Sequence, residues 1–255
     1  MICRTDLSLC GVITNIKRCV VSGWHIIPLD VELDTRHTMI ELLHCDCMEY
    51  MATVPDKYFD LSIVDPPYGI DVGKQRKNSS RATDKWVKPS DYEYKEFDDS
   101  KPPADEYFHE LFRISKHQII WGGNYFTNVL PPSKGWIVWD KKADIKEHLS
   151  MCELAYSSFD KKCNKFEYLW AGFKKAEQIK RIHPTQKPVA LYEWLLTNYA
   201  KKGQRILDTH LGSGSSAIAA HYFGVDFVGC ELDKDYFDAA KARFDMATRQ
   251  LAMSI

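Results

Sequence analysis

Residues 65 to 68 read Asp-Pro-Pro-Tyr and close the apolar run Leu61-Ser62-Ile63-Val64. Consecutive prolines remove the backbone N–H at 66 and 67 and push Asp65 and Pro66 into extended geometry. The carbonyls there cannot enter a local helix, so they stay as fixed acceptors beside the Asp65 carboxylate. Two acceptors at one spot suit a group with two N–H donors, such as an exocyclic amine. Tyr68 can present a flat face to a base, a stacking contact worth about 1–3 kcal/mol. The four residues together make a slot for a nucleobase read from its amino edge.

A second stretch with chemistry in its spacing runs from Arg205, "RILDTHLGSGSSAIAAHYFG", to "DFVGCELD". It reads as a strand ending at Asp208, a Gly212-Ser213-Gly214 turn, a helix, and a second strand closed by Glu231. Glycine at 212 and 214 lets the backbone turn tightly and approach a ligand with no Cβ between them. An acid closing the next strand stands where nucleotide-binding folds place a carboxylate for ribose hydroxyls. The turn is not G-x-G-x-x-G and carries no Walker lysine, so a nucleoside without phosphates suits it better than a pyrophosphate. Two turn glycines and a surface acid would be the plain alternative; the strand-turn-helix-strand-acid order argues for the site.

The elements that must position these stretches are legible from periodicity. Met39–His44 reads as a strand, Cys47–Val54 as a helix and Asp60–Val64 as a strand ended by the prolines. Ala104–Ser115 carries Tyr107, Phe108, Leu111 and Phe112 at helical spacing. Apolar, β-branched runs at His117–Trp121 and Gly135–Trp139 read as strands, and Glu153–Ser157 and Phe166–Trp170 as further strands. Pro188 opens a helix at its favoured first position. Arg205–Asp208 is a strand, Ser213–Phe223 a helix, Phe227–Glu231 a strand, and Asp233 caps a helix running to about Arg249. Strands alternating with helices imply a largely parallel sheet covered on both faces. "WGGNYF", 121–126, reads as core and turn, with no role in a site. Residues 1–38 fit the pattern poorly and read as an N-terminal extension to a domain spanning 39–255.

Composition bounds the rest. A chain of 255 residues, 45% hydrophobic and 27% charged, is an ordinary globular protein large enough for one α/β domain. No apolar run reaches membrane-span length, and scattered cysteines suit a reducing compartment, so a cytoplasmic protein is expected. The eight cysteines include no Cys-x-x-Cys pair, and no His pair has zinc spacing, so no metal is expected. Net charge is −1, but it is unevenly spread. From 70 to 90 six basic residues face two acidic ones, and from 160 to 188 eight face three, giving +4 and +5. Either run alone would be a solvated face. Two runs, each beside a chemical motif, point to a surface that follows phosphates.

Asp65-Pro66-Pro67-Tyr68 resembles the catalytic motif of S-adenosylmethionine-dependent DNA amino-methyltransferases, and its Asp-first form is similar mainly to the adenine-N6 enzymes. "LHCDCMEYMATVPDKYFDLSIVDPPYG" looks like that family's opening, "HPTQKP" at 183–188 like a motif beside the methionine end of the cofactor, and "LDTHLGSGSS" like its cofactor loop. The order, catalytic motif first and glycine loop last, is that of the β group. The resemblance implies a Rossmann-like, circularly permuted α/β fold, with a mostly parallel seven-stranded sheet and helices on both faces. It implies S-adenosylmethionine as cofactor, held by Asp46, Thr185, Lys187, Asp208, Gly212, Ser213, Gly214 and Glu231. Asp65, Pro66 and Tyr68 become the catalytic set, acting on a base flipped out of double-stranded DNA.

Insertions near 70–103 and 140–182 would contact that DNA. A homodimer and a restriction endonuclease partner are further expectations from the family, with no membrane association. Where the family has Asp-Pro-Phe this chain has Asp208-Thr209-His210, and a buried structural histidine is expected. Competing readings are a cytosine-N4 enzyme, an RNA adenine or free-nucleotide methyltransferase, a nicotinamide-dependent dehydrogenase and a non-catalytic DNA-binding relative. The missing third glycine opposes the dehydrogenase, and the intact Asp-Pro-Pro-Tyr slot opposes the non-catalytic module.

Overall fold

The computed structural model describes residues 21–22, 25–26, 38–70, 99–142, 150–171, 174–175 and 181–249. The chain divides into two units, Met1–His37 and Thr38–Ile255. In the first, β1 (Val21–Ser22) and β2 (His25–Ile26) pair antiparallel.

The second unit begins with β3 (Ile40–His44), α1 (Cys47–Thr53), β4 (Phe59–Val64), α2 (Asp105–Ile114) and β5 (Ser115–Trp121). Strands β6 (Ile137–Asp140), β7 (Cys152–Ser157) and β8 (Asn164–Glu167) follow, then a small antiparallel pair, β9 (Trp170–Ala171) and β10 (Lys174–Lys175). The chain closes with α3 (Val189–Tyr199), β11 (Arg205–Asp208), α4 (Ser215–Phe223), β12 (Asp226–Glu231) and α5 (Lys234–Arg249).

The main sheet has the order β3-β12-β11-β4-β5-β7-β6-β8. Strands β3, β12, β11, β4 and β5 are mutually parallel; β7 runs antiparallel to both neighbours, and β8 is parallel to β6. The sheet therefore has eight strands where seven were expected. The strand read at Phe166–Trp170 starts earlier, because Asn164 N–H donates to the Trp136 carbonyl at 2.9 Å and begins the pairing two residues before Phe166. The chain then leaves the sheet, and Trp170, expected in the same strand, pairs instead in the β9–β10 ribbon.

Alternation along the strands separates two cores. Leu61, Ile63, Ile119, Trp121 and Ile206 face α3 and α4. Phe59, Val64, Ile120 and Leu207 face the other way, toward Met51, Tyr107, Phe108 and Leu111 of α1 and α2. Two residues fall differently from the expected pattern. Pro188 is the N-cap of α3 rather than its first helical residue, with an extended ψ of 149°. Helix α4 starts at Ser215, because Gly214 is left-handed at φ +72° and cannot continue a right-handed turn.

Strands β4 and β11 lie side by side and parallel, with Leu207 in register with Ser62. From β4 the chain proceeds to β5 on one side, and from β11 to β12 on the other. That divergence is a topological switch point, where the carboxyl ends of parallel strands leave a crevice. Asp65, the first residue after β4, and Asp208, the last of β11, lie there.

Candidate active site

The glycine turn at the end of β11 is held by two carboxylates. Buried Asp208 accepts from His210 N–H at 3.0 Å and from the Ser216 hydroxyl at 2.6 Å, so it ties the turn to the first turn of α4. Burial pushes its carboxyl up to about 7, against the lowering effect of those two hydrogen bonds. Glu231 accepts from Gly212 N–H at 2.8 Å and from Asp233 N–H at 3.0 Å. Each of its oxygens keeps lone pairs for another donor. Gly212 is left-handed at φ +53°, and a Cβ there would lie 3.7 Å from the His183 ring, which closes one wall of the turn. Ser213 is buried, its hydroxyl 3.1 Å from that of Ser215, and Arg243 of α5 donates to the Ser213 carbonyl at 2.7 Å.

Asp46 is the N-cap of α1, accepting from Met48 N–H at 2.7 Å, so one of its oxygens is already used by the helix. The His210 ring sits edge-on to Tyr107 with centroids 5.5 Å apart, and its Nδ1 is 2.9 Å from the Thr209 hydroxyl. Burial lowers this histidine to about 4, so it is a neutral packing ring. The structural role expected for it from sequence agrees with this placement.

The 183–188 segment joins the two halves. Thr185 is exposed and hydrogen-bonds His183 Nδ1 at 3.1 Å. The Lys187 carbonyl accepts from the Ser215 hydroxyl at 2.8 Å, fastening this segment to α4. Its side chain runs the other way, into the Asp65 pocket. Buried Gln186 Nε2 has no partner, a spare donor of the kind that a ligand carboxylate would take. Paired left-handed glycines, an acid with free lone pairs and this orphaned donor fit S-adenosylmethionine.

Just past the end of β4, each oxygen of Asp65 has a partner. The Tyr68 hydroxyl donates to Oδ1 at 2.5 Å, and the Lys187 ammonium pairs with Oδ2. Pro66 is buried, and the turn beyond it is clamped by buried Asp99, which accepts from Tyr68 N–H at 2.7 Å and Gly69 N–H at 3.1 Å. Lys187 Nζ also lies 3.3 Å from Glu153 Oε2, while Lys141 pairs with Glu153 Oε1 at 2.7 Å. Burial works against the Lys187 ammonium, yet Asp65 and Glu153 hold it above its ordinary value. Burial likewise raises Glu153, but the charges of Lys187 and Lys141 outweigh it and hold the carboxyl at about 2.

Sequence reasoning placed Lys187 at the cofactor; here its ammonium is on Asp65. Glu153, Lys141 and Asp99 were missed altogether: Glu153 is a single acid in an apolar strand, and Lys141 and Asp99 are each one charge among charged neighbours, so nothing local marks them. "WGGNYF" is closer to the chemistry than core and turn. Gly122 is left-handed at φ +68°, and a Cβ on it would meet the Tyr68 ring at 2.2 Å. Tyr125, exposed, stacks on Tyr68 with centroids 5.1 Å apart and planes 17° apart. The paired glycines were the available signal. The basic stretch at 70–90 and much of the expected DNA-contacting insertions lie outside the described residues, at 71–98, 143–149, 172–173 and 176–180.

Among the described residues no group of three or more His, Cys, Asp or Glu side chains could hold a metal ion, and no helix is long and apolar enough to cross a membrane.

A DNA methylase family model of the N6/N4 type matches residues 131–242. The chain is 27% identical over 244 residues to the type II methyltransferase M2.DpnII of Streptococcus pneumoniae, covering 80% of this chain and 89% of that protein. It is 26% identical to M2.LlaDCHI of Lactococcus lactis subsp. cremoris, over 80% and 88% of the two. Among solved structures, the M1.HpyAVI–SAM complex superposes with a TM-score of 0.52 at 19% identity, covering 81% of this chain and all of that one. The cytosine-N4-specific PvuII DNA methyltransferase gives 0.53 at 10% identity, over 83% and 92%. The family match and the two type II methyltransferase relatives, with an Asp-Pro-Pro-Tyr turn set beside a glycine turn at one switch point, support an S-adenosylmethionine-dependent DNA methyltransferase to which the N6/N4 DNA methylases are similar.

Proposed function

We propose that this chain methylates the exocyclic N6 amine of adenine in double-stranded DNA, with Asp65, Pro66 and Tyr68 as the catalytic set. The observation that carries the reading is the abutment of the Asp65–Tyr68 turn and the Gly212–Gly214 turn at the ends of β4 and β11. S-adenosylmethionine supplies an electrophilic methyl on a sulfonium. Asp208, Gly212, Ser213, Gly214 and Glu231 would hold its nucleoside, with Asp46 beside the base. The 183–188 turn, through Thr185, would face its methionine end.

The target amine is a weak nucleophile because its lone pair is delocalised into the ring. Asp65 and the Pro66 carbonyl accept its two hydrogens, which favours a pyramidal nitrogen and stabilises the positive charge that grows there. Tyr68 offers a stacking face for the flipped base. The Tyr68 hydroxyl bond to Asp65 orients both groups before substrate arrives. Aspartate at position 65 is the choice that favours adenine over cytosine. The basic stretches at 70–90 and 160–188 would track the phosphates.

The test is nucleoside mass spectrometry of unmethylated duplex DNA incubated with the protein and S-adenosylmethionine. N6-methyladenine is the expected product. Asp65→Ala should lower transfer by on the order of 10³-fold, as for loss of a group aimed at developing charge, while cofactor affinity stays within about threefold. N4-methylcytosine would keep the clamp and change the base; turnover retained by Asp65→Ala would remove the catalytic assignment. The same assay on RNA, and sedimentation with and without duplex, test the remaining substrate and dimer readings.

A further inference from the structure

From the four-charge cluster behind Asp65 we infer that Glu153 is a positioning residue for methyl transfer, which draws the Lys187 ammonium off Asp65 when the target amine arrives. The inference rests on the role proposed for Asp65.

The difficulty it resolves is visible at Asp65 itself. Each carboxylate oxygen already has one partner, Oδ1 the Tyr68 hydroxyl and Oδ2 the Lys187 ammonium. An amine that donates to this carboxylate must share an oxygen with one of them. The ammonium also opposes the positive charge that develops on the amine nitrogen as it is methylated. Lys187 must therefore yield, and it cannot retreat to water, because its side chain is only 4% exposed. A buried ammonium stays charged only while a carboxylate accompanies it.

Glu153 is placed to receive it. Its Oε2 lies 3.3 Å from Lys187 Nζ, within ion-pair reach, yet is buried with no aligned hydrogen bond. A small rotation of the lysine end would convert that near contact into a full one and release Oδ2. Lys141, pairing with Oε1 at 2.7 Å, keeps Glu153 ionised and fixes its head. Strand pairing makes the arrangement rigid: Glu153 stands opposite Trp139 in the β6–β7 ladder, and Lys141 N–H donates to the Met151 carbonyl at 3.1 Å. The cluster holds two carboxylates and two ammonium ions, so the shift moves a hydrogen bond without changing net charge.

The test is single-turnover methylation of a duplex substrate by the wild type, Glu153→Gln, Glu153→Asp, Lys187→Met and Glu153→Gln/Lys187→Met. Cofactor and duplex affinities are measured separately, and folding is checked by circular dichroism. Glu153→Gln should slow transfer by on the order of 30-fold, within the range of coupling between contacting groups, with cofactor affinity changed less than about threefold. Glu153→Asp, which keeps the charge, should recover most of the rate. In the Lys187→Met background Glu153→Gln should cost less than about threefold, because no ammonium remains to be held.

A Glu153→Gln rate within threefold of wild type, an Asp variant as slow as the Gln variant, or two substitutions whose losses multiply would each overturn the inference. If Lys187→Met does not fold, the comparison of Gln with Asp decides alone. Wild-type protein that gives no product, or an active Asp65→Ala, removes the catalytic reading and this inference with it. A normal Glu153→Gln beside a dead Asp65→Ala removes only this inference.

Discussion

Strand β6 ends between two clusters of identical composition. On one side Lys141 joins Glu153, Lys187 and Asp65; on the other Lys142 joins Glu167, Lys165 and Asp140. Each has two acids and two bases, and consecutive lysines feed the two. Glu153 and Glu167 are even held at the same level, about 2, the first by Lys187 and Lys141 against burial, the second chiefly by hydrogen bonds from Lys142 and Lys165. They differ in exposure: side chains in the first are 4–24% exposed, those of the second 35–54%. Water screens the outer cluster and pays out most of its Coulomb energy as solvation. In the inner one each ion depends on its neighbours, so moving one moves the rest. Burial, and not the list of charges, decides which cluster can carry chemistry.

The largest break in this comparison comes from removing one inner ion. Lys187→Met would leave the Asp65 and Glu153 carboxylates facing each other in a dry pocket. Breaking a buried pair from one side costs about 3–5 kcal/mol. For a domain of this size that is roughly 10 °C in Tm, measurable by calorimetry at neutral pH. Adding Asp65→Asn should return a good part of the loss, since it neutralises the stranded charge. No recovery would mean that the ammonium's place over the Trp121 ring, 5.5 Å from its centroid, matters more than its pairing with Asp65.

A smaller effect is expected at Asp208, a buried carboxyl with hydrogen bonds but no cation. Burial raises it from 3.8 to about 7, so the folded chain binds its proton more tightly than the unfolded chain does. The stability this gives is full below about pH 4 and is lost as pH rises toward 7. Asp208→Asn should therefore be more stable than wild type at pH 8, by on the order of 2 kcal/mol once weaker hydrogen bonds are allowed for. The gap should narrow as pH falls and close by about pH 4. A variant less stable at both values would show that Asp208 stays ionised, paired more strongly than its two hydrogen bonds suggest.

The contrast between local and distant partners also explains what could be read from sequence. The glycine turn and its acid are 19 residues apart, Gly212 to Glu231, and strand-turn-helix spacing carries them into contact without knowledge of the rest. The partner of Asp65 is 122 residues away, and the charge that balances it sits in a strand whose sequence shows only one acid among apolar neighbours. Periodicity says which face of a strand is buried; it does not say which buried acid meets which lysine across the sheet. Asp99 escaped for the same reason, as one acid in the acidic run Glu96-Phe97-Asp98-Asp99, 31 residues from the backbone N–H of Tyr68 that it clamps. The strand read at Phe166–Trp170 is shifted to Asn164–Glu167 because its pairing is specified by β6 rather than by its own polar residues, Asn164, Lys165 and Glu167.

The smallest effect belongs to the outer cluster and sharpens the comparison most directly. Glu167→Gln removes the acid that Lys142 and Lys165 share, just as Glu153→Gln removes the acid shared by Lys141 and Lys187. Lys142 and Lys165 are half exposed and would simply turn to solvent, so neither ammonium is stranded. The low value of Glu167 is then a property of its hydrogen bonds, without consequence for folding in a screened position. Thermal unfolding of Glu167→Gln at about 0.15 M salt should match wild type within roughly 1 °C, and methyl transfer should be unchanged. A clear loss of stability there would mean that β8 depends on its ion pairs to stay on the sheet, and that composition and not burial governs both clusters.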